Sequence, residues 1–417
     1  MRGIIVVNEN YDVLFLGGLF PIEIEKQIYM KSKNSIQNAA NKLQWSIVTG
    51  LDSILNKPVK ILNMLFLGSY PKNYQDSFIK SFRFSHVTGA QDFNVGFINI
   101  TVIKEIFRTL ALKKPLISWI HEKRNEKKIV IIYSVQSLWL DAAKVVKKLN
   151  PNIHICIIVP DLPNYISMSK DRYFINRLYK KYRIKKCNKY IKYMDSFVFL
   201  TESMNSYFNN KKPYVVIEGI AENSNNYKEN YIKKYSNDDK IILYTGTLTR
   251  KYGVIDLVRA FMLIEHKDYK LIICGEGETK QEIIDYSAMD KRITYLGLLE
   301  TEEIINLQNS ATVLINPRKN TEEYTKYSFP SKILEYLTSG TPVIAYKLDG
   351  VPDEYDEYIY YIDGNRLEDI SSKIIEVCNK SADERQRFGR RARKFVLEEK
   401  NGNIQAKKII EMIKLSK

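Results

Sequence analysis

The sequence predicts an α/β protein made of two Rossmann-like, doubly wound domains facing a cleft. Three observations lead there: short apolar runs rich in Val and Ile, stretches of helical spacing between them, and one polar interval after which the pattern restarts.

In chain order, VLFLGG (13–18), VKILNML (59–65), KIVIIYS (128–134) and HICIIVP (154–160) read as buried parallel strands, and SLWLDAAKVVKKLN (137–150) as a crossover helix. The stretch Ala221 to Lys240 (AENSNNYKENYIKKYSNDDK) is too polar to bury and reads as a linker. Beyond it come IILYTG, a helix over 253–263, KLIICGEGE, RITYLG, a helix over 301–309, TVLINP, a helix over 330–339, and PVIAY. Ala382 to Lys417 reads as two amphipathic helices broken near Asn401-Gly402, with Phe388, Phe395, Ile409 and Ile413 on apolar faces. The expected organisation is a first domain over 1–222, a linker over 223–239 and a second domain over 240–395. A closing helix over 396–417 is expected to return to the first domain.

Composition narrows the function. With 417 residues, 45% of them apolar and 27% charged, the chain is long enough for two domains, or three. The longest apolar run, Val13 to Ile22, falls well short of the ~20 residues that span a bilayer. The opening MRGIIVVNENYD places Asn8, Glu9, Asn10 and Asp12 where a secretory signal needs an apolar core, so a cytoplasmic location is expected. Cys156, Cys187, Cys274 and Cys378 are scattered and the four His lack ligand spacing, so neither a disulfide framework nor a metal site is expected.

Charge is unevenly divided. Of 64 Lys and Arg, 33 precede residue 223, against only 17 of 48 Asp and Glu, so the whole net charge of +16 lies in the first half. Such asymmetry implies a polyanionic partner for that half. KDRYFINRLYKKYRIKKCNKYIK (170–192) has ten basic residues opposed by Asp171 alone, with apolar residues recurring at three- and four-residue spacing. Arg177, Lys180, Lys181, Arg183, Lys185, Lys186 and Lys189 are assigned to an anionic membrane surface, the inner face of the cell membrane, with each basic residue contributing ~1 kcal/mol there. A solvated helix packed on its own domain is the other reading. Nucleic acid is not expected as a partner, because no RNP, KH or zinc motif accompanies the run.

The segment TVLINPRKNTEEYTKYSFPSKILEYLTSGTPVIAY carries the most chemistry. Pro330 opens a helix and Gly340 stops it. The amides of Ser331, Lys332 and Ile333 and the Lys332 ammonium make an anion site. Glu335 lies about one turn further in, ~6 to 7 Å along the axis at 1.5 Å per residue, where it would accept hydrogen bonds from a ribose diol. A capped surface helix with Glu335 paired to a lysine fits the same spacing. Gly275 and Gly277 follow a strand, either to admit a ligand backbone-close or simply to turn tightly. Asp161, after the HICIIVP strand, is either a base for a hydroxyl or a turn residue between two prolines.

FPSKILEYLTSGTPVIAY, with YTGTLTRKYGVIDLVRAF, LIICGEGE and YLGLL upstream, resembles the nucleotide-sugar-binding domain of family 4-like, GT-B fold glycosyltransferases, in particular a bacterial surface-polysaccharide branch with an FPSK-type loop. The resemblance is close over residues 240 to 345, and IIVPDLPNYI, FVFLTESM and PYVVIEGIA extend it into the first half. It implies a retaining, metal-independent hexosyl transfer from a nucleoside-diphosphate sugar to a saccharide acceptor, expected to be lipid-linked through a polyprenyl carrier, with no cofactor. In this resemblance Glu335 matches the second Glu of the family's paired motif, and the first falls at Tyr327. Gly246 stands in the glycine loop, whose usual Arg and Lys positions are Thr247 and Tyr252, so the diphosphate cations are assigned to Arg250 and Lys332, with Arg318 third and Lys251 in the same loop as Arg250. Taken singly, each of these charges reads more readily as a solvated loop residue. Gly18, Gly275, Gly277 and Gly297 complete the expected donor contacts, and Asp161 is placed near the acceptor hydroxyl. A peripheral membrane assembly subunit that keeps the fold without transfer activity is the alternative, motivated by the missing first Glu.

Overall fold

The computed structural model describes residues 10–33, 36–101, 103–122, 126–163, 174–222, 236 and 238–416, with 174–180 described by backbone alone. Most of the expected linker therefore lies outside the described residues. The chain divides into two compact units, Met1–Ile220 with Gly402–Lys417, and Ala221–Asn401.

The first unit contains β1 (Tyr11–Gly17), α1 (Ile22–Lys31), α2 (Asn38–Ile54), β2 (Lys60–Asn63), β3 (Phe78–Ile79), β4 (Phe82–Phe84), β5 (Asp92–Asn94) and β6 (Phe97–Ile98). It continues through α3 (Lys104–His121), β7 (Lys127–Tyr133), α4 (Ser137–Leu149), β8 (His154–Val159), α5 (Phe174–Tyr190), β9 (Ser196–Phe199), α6 (Glu202–Tyr207) and β10 (Tyr214–Val216). Its main sheet runs β10-β9-β8-β7-β1-β2-β5-β4. Only the β4–β5 pair in it is antiparallel. Every residue of β1 is buried, which is why that strand is almost unbroken apolar sequence rather than alternating. Strand order reverses between β1 and β7, and this reversal opens a crevice at their carboxyl ends.

The second unit contains β11 (Lys240–Thr245), α7 (Val254–Met262), β12 (Tyr269–Cys274), α8 (Lys280–Met289), β13 (Ile293–Gly297), α9 (Thr301–Ser310), β14 (Val313–Asn316) and α10 (Ser331–Ser339). β15 (Val343–Ala345), β16 (Tyr360–Tyr361), α11 (Leu367–Cys378) and α12 (Ala382–Glu399) complete it. Its all-parallel sheet, β13-β12-β11-β14-β15-β16, is the doubly wound order, with the reversal between β11 and β14. On α12, Phe388 stacks on Tyr360 at 4.0 Å and Phe395 on Tyr358 at 4.4 Å, which ties that helix to its own unit.

The last helix, α13 (Gly402–Leu415), belongs to the first unit. Its Ala406, Ile409, Ile410 and Ile413 recur at helical spacing and join one core with Ile47, Val48 and Leu51 of α2. Gly50 permits the approach, since a Cβ there would stand 2.3 Å from the Gly402 carbonyl oxygen. All four cysteines are buried and free, and burial pushes each thiol up to about 12.

Candidate functional site

The carboxyl ends of β11 and β14 meet the start of α10 in the second unit, and there the structure builds a polar network the sequence did not announce. The buried Tyr336 hydroxyl accepts from the Thr245 amide at 2.9 Å and donates to the Thr245 carbonyl at 3.0 Å. Gln308, also buried, donates through Nε2 to Thr245 Oγ1 at 3.1 Å and to Glu335 Oε1 at 2.7 Å. Glu335 is thus anchored to the end of β11 through a neutral side chain. Lys332 pairs with Glu335 as well, its Nζ 2.7 and 2.9 Å from the two carboxylate oxygens. Both side chains are about one-third exposed, 32% and 33%, so the pair is open to exchange with a ligand.

α10 starts after Pro330 and ends at Gly340, whose φ of +79° is the left-handed cap that glycine favours. Of the three first-turn amides expected to face an anion, that of Ile333 is already given to the Pro330 carbonyl at 2.8 Å. Ser331, exposed, and Lys332, half-buried, stand at that end. Lys332 is also close enough to Cys274, at the end of β12, to act on its thiol.

Gly246, Gly275, Gly277 and Gly297 gather at the same edge of the sheet, where their loops bond to one another. Gly246 donates its amide to the Cys274 carbonyl and Gly275 donates to the Gly297 carbonyl. A Cβ on Gly275, whose φ is +139°, would stand 1.9 Å from the Gly246 carbonyl oxygen, so glycine is required for the two loops to close together. Gly277 lies in the same loop against Leu248.

The candidate cations divide. Arg250 is 61% exposed at its side chain and paired with Glu282. Arg318 is the reverse, 6% exposed. Its guanidinium lies 5.5 Å from the Tyr252 ring centroid and 4.8 Å from that of Tyr324. Lys251 covers the Tyr324 ring at 4.4 Å. Arg318 Nη1 reaches Ser328 Oγ at 3.5 Å, while Nε and Nη2 have no hydrogen-bond partner. A buried guanidinium with donors unused is costly unless something else accepts them. Tyr327 ends a short 3₁₀ turn, half-buried, with the Lys326 ammonium 5.1 Å from its ring centroid.

In the first unit Gly18 is buried, with its amide given to Gln44 Oε1 at 2.8 Å and the Phe66 ring against its α-carbon. Asp161 follows β8. Its side chain reaches the surface, yet crowding strips water from the carboxyl and raises it above the usual carboxylate range. It lies near Tyr133, whose hydroxyl is pushed up by burial first and by Asp161 second. On α5, Lys181, Lys185 and Lys189 are exposed and Arg183 half-buried, while Lys186 pairs with Asp141 at 2.6 Å. The side chains of Arg177 and Lys180 lie outside the described residues.

Two doubly wound α/β units of this kind define the GT-B class, and solved structures of that class match nearly the whole chain. An E. coli structure titled as trehalose-6-phosphate bound with UDP-2-fluoro glucose aligns with a TM-score of 0.65 at 9% identity, over 96% of this chain and 98% of the other. An Anabaena HepE structure in complex with UDP aligns with a TM-score of 0.59 at 12% identity, over 97% and 99%. The family model described as glycosyl transferases group 1 matches residues 227–395. The capsular polysaccharide biosynthesis glycosyltransferase CapM of Staphylococcus aureus is 26% identical over 178 residues, 41% of this chain and 45% of that protein. The O-antigen chain mannosyltransferase B of Escherichia coli is 24% identical over 141 residues, 32% and 35%. The matched stretches span less than half the length of these curated relatives.

Sequence reasoning missed Thr245, Gln308 and Tyr336, and the tyrosine pair around Arg318. Only the alternative of a lysine partner for Glu335 pointed toward the pairing that the structure contains.

Proposed function

We propose that the chain is a glycosyltransferase that moves a sugar from a nucleoside-diphosphate sugar to a saccharide acceptor in surface-polysaccharide assembly. The observation that carries this reading is the anchored Glu335, set beside Lys332 at the start of α10 within the stretch matched by the glycosyl transferases group 1 model. The relatives named for capsule and O-antigen chemistry support the acceptor class.

In this reading Glu335 accepts hydrogen bonds from the ribose, and Lys332 turns to the diphosphate. Arg318 and Lys251 face the same negative charge, with Arg250 at the rim. Transfer breaks the bond between the anomeric carbon and the β-phosphate oxygen, which keeps the electron pair, while the acceptor hydroxyl oxygen bonds to that carbon. The fixed cations and the helix end stabilise the leaving diphosphate and lower the barrier by several kcal/mol. Asp161, its carboxyl raised by desolvation, is the group assigned to receive the hydroxyl proton. We assign retention of anomeric configuration, charge stabilisation by protein cations in place of a metal, a polyprenyl-linked acceptor and a site of action at the inner membrane face to the same reading. Lys181, Lys185 and Lys189 support the membrane assignment as exposed charges four residues apart.

Isothermal titration of the full chain with UDP, GDP and dTDP tests the proposal. Saturable binding of one of them, weakened in Glu335→Ala, is expected. No binding of any would favour an inert subunit with this fold.

A further inference from the structure

The first unit holds a cavity of about 310 Å³, lined among others by Phe66, Leu67 and Gly68 after β2, Gln136 after β7, Asn73, and Arg108 of α3. It lies at the carboxyl end of the sheet, beside the β1/β7 reversal where open α/β sheets take their ligands. None of the residues assigned to transfer lines it.

One cation, Arg108, stands in its wall, and a second, Lys104, braces a lining residue from behind. Arg108 is 4% exposed, with Nη1 donating to Glu105 Oε1 at 3.0 Å. One turn earlier on the same helix face, Lys104 is 8% exposed and gives its ammonium to the carbonyl of Leu67, a lining residue. Both charges pack on the Phe97 ring, with centroid distances of 5.4 and 5.6 Å. Burial, and then the neighbouring Arg108, lower the Lys104 ammonium to about 8. Glu105, whose side chain is 39% exposed, supplies one carboxylate against these two cations, so a further anion would be favoured beside them.

A second observation comes from the strand end. Ser134, two residues before Gln136, holds φ at +81°, is 6% exposed, and its Oγ has no hydrogen-bond partner. A non-glycine residue in that conformation is strained, and such strain gathers where ligands are handled.

We propose that this cavity binds a phosphate group of the acceptor, with Arg108 as the recognising fork and Lys104 holding the loop and adding charge. The word acceptor rests on the transfer reading above; the phosphate site does not. A guanidinium presents paired donors that match phosphate oxygens, and the amide side chains of Asn73 and Gln136 are suited to the ester oxygens or an attached hydroxyl. A phosphorylated saccharide and a polyprenyl phosphate both carry this group, and the test distinguishes them.

The test titrates the full chain with inorganic phosphate, with a hexose 1-phosphate, and with farnesyl phosphate in detergent micelles. Wild type is expected to bind inorganic phosphate saturably, and Arg108→Gln, with an unchanged circular dichroism spectrum, to bind it at least tenfold more weakly. Tighter binding of the hexose phosphate than of farnesyl phosphate assigns the saccharide source, and the reverse order assigns the lipid. If Arg108→Gln does not fold, Gln136→Ala serves in its place, with a threefold or larger loss expected. No saturable binding, or equal affinity in a folded variant and wild type, overturns the proposal. Glu335→Ala titrated in parallel separates the two readings: it is expected to keep the Arg108-dependent phosphate site. A wild type that binds phosphate in this way but no nucleoside diphosphate sinks the transfer reading alone.

Discussion

Lys332 and Glu335, three residues and about one turn apart on α10, hold each other in an ion pair, with Nζ 2.7 Å from Oε1 and 2.9 Å from Oε2. The two groups assigned to diphosphate and ribose are therefore each other's partner in the absence of ligand, and in the proposed reading binding divides them. The Gln308 hydrogen bond to Glu335 does not depend on Lys332.

Glu335→Ala is expected to weaken nucleoside-diphosphate binding by ~1.5 to 3 kcal/mol, the range for a hydrogen bond to a charged group. Calorimetry measures it, and unchanged affinity removes the ribose role.

Arg318→Met separates structure from function. Exchanging a buried, under-bonded charge for an apolar chain of similar length is expected to leave thermal stability equal or higher, while nucleotide affinity falls about tenfold, ~1.4 kcal/mol. A large loss of stability with affinity intact would make Arg318 a structural residue.

Tyr336→Phe leaves the Thr245 amide and carbonyl without their buried partner. The expected cost is about 1 to 3 kcal/mol of unfolding free energy, read by urea denaturation. A stability equal to wild type would mean that water replaces the hydroxyl.

His86 gives the first unit a pH dependence. Burial lowers its affinity for a proton, but hydrogen bonds to Asp52 at 2.8 Å and Asp92 at 2.6 Å outweigh this and raise it from 6.5 to about 9. A folded value above the unfolded one means the stabilisation is complete below pH 6.5 and disappears as pH rises through about 9. The amount is up to about 3 kcal/mol at ~1.4 per unit. Urea midpoints at pH 6, 8 and 10 should fall accordingly, and His86→Gln should flatten the trend.

Replacing Lys181, Lys185 and Lys189 together by Gln is expected to weaken binding to anionic vesicles by roughly 1 kcal/mol per residue. Lys186→Gln should instead loosen α5 from α4, because Lys186 pairs with Asp141. Vesicle sedimentation that does not distinguish the triple variant from wild type rejects the membrane assignment.

The long elements were legible because their periodicity is local. The expected helices over 253–263, 301–309 and 330–339 are observed at Val254–Met262, Thr301–Ser310 and Ser331–Ser339, and the break near Asn401-Gly402 separates α12 from α13. β3 to β6, two or three residues each, are too short to show any period. The site was legible only where it carries charge. Thr245 and Tyr336 are 91 residues apart and Thr245 and Gln308 are 63 apart, neutral groups whose meeting depends on the parallel sheet. His86 showed nothing beyond a lone histidine, because Asp52 lies 34 residues away and joins it only through α2. Lys104 and Arg108 passed as two more positive charges in a basic half, since burial is a property of the fold rather than of the string.

The return of α13 to the first unit makes the second unit an insertion, entered at Ala221 and left at Asn401, positions that meet in an isolated parallel bridge. During synthesis the inserted body is finished while its host still lacks Ala406, Ile409, Ile410 and Ile413. The usual order, in which the earlier domain matures first, is thus inverted: α2 presents an uncovered apolar stripe until the last helix leaves the ribosome.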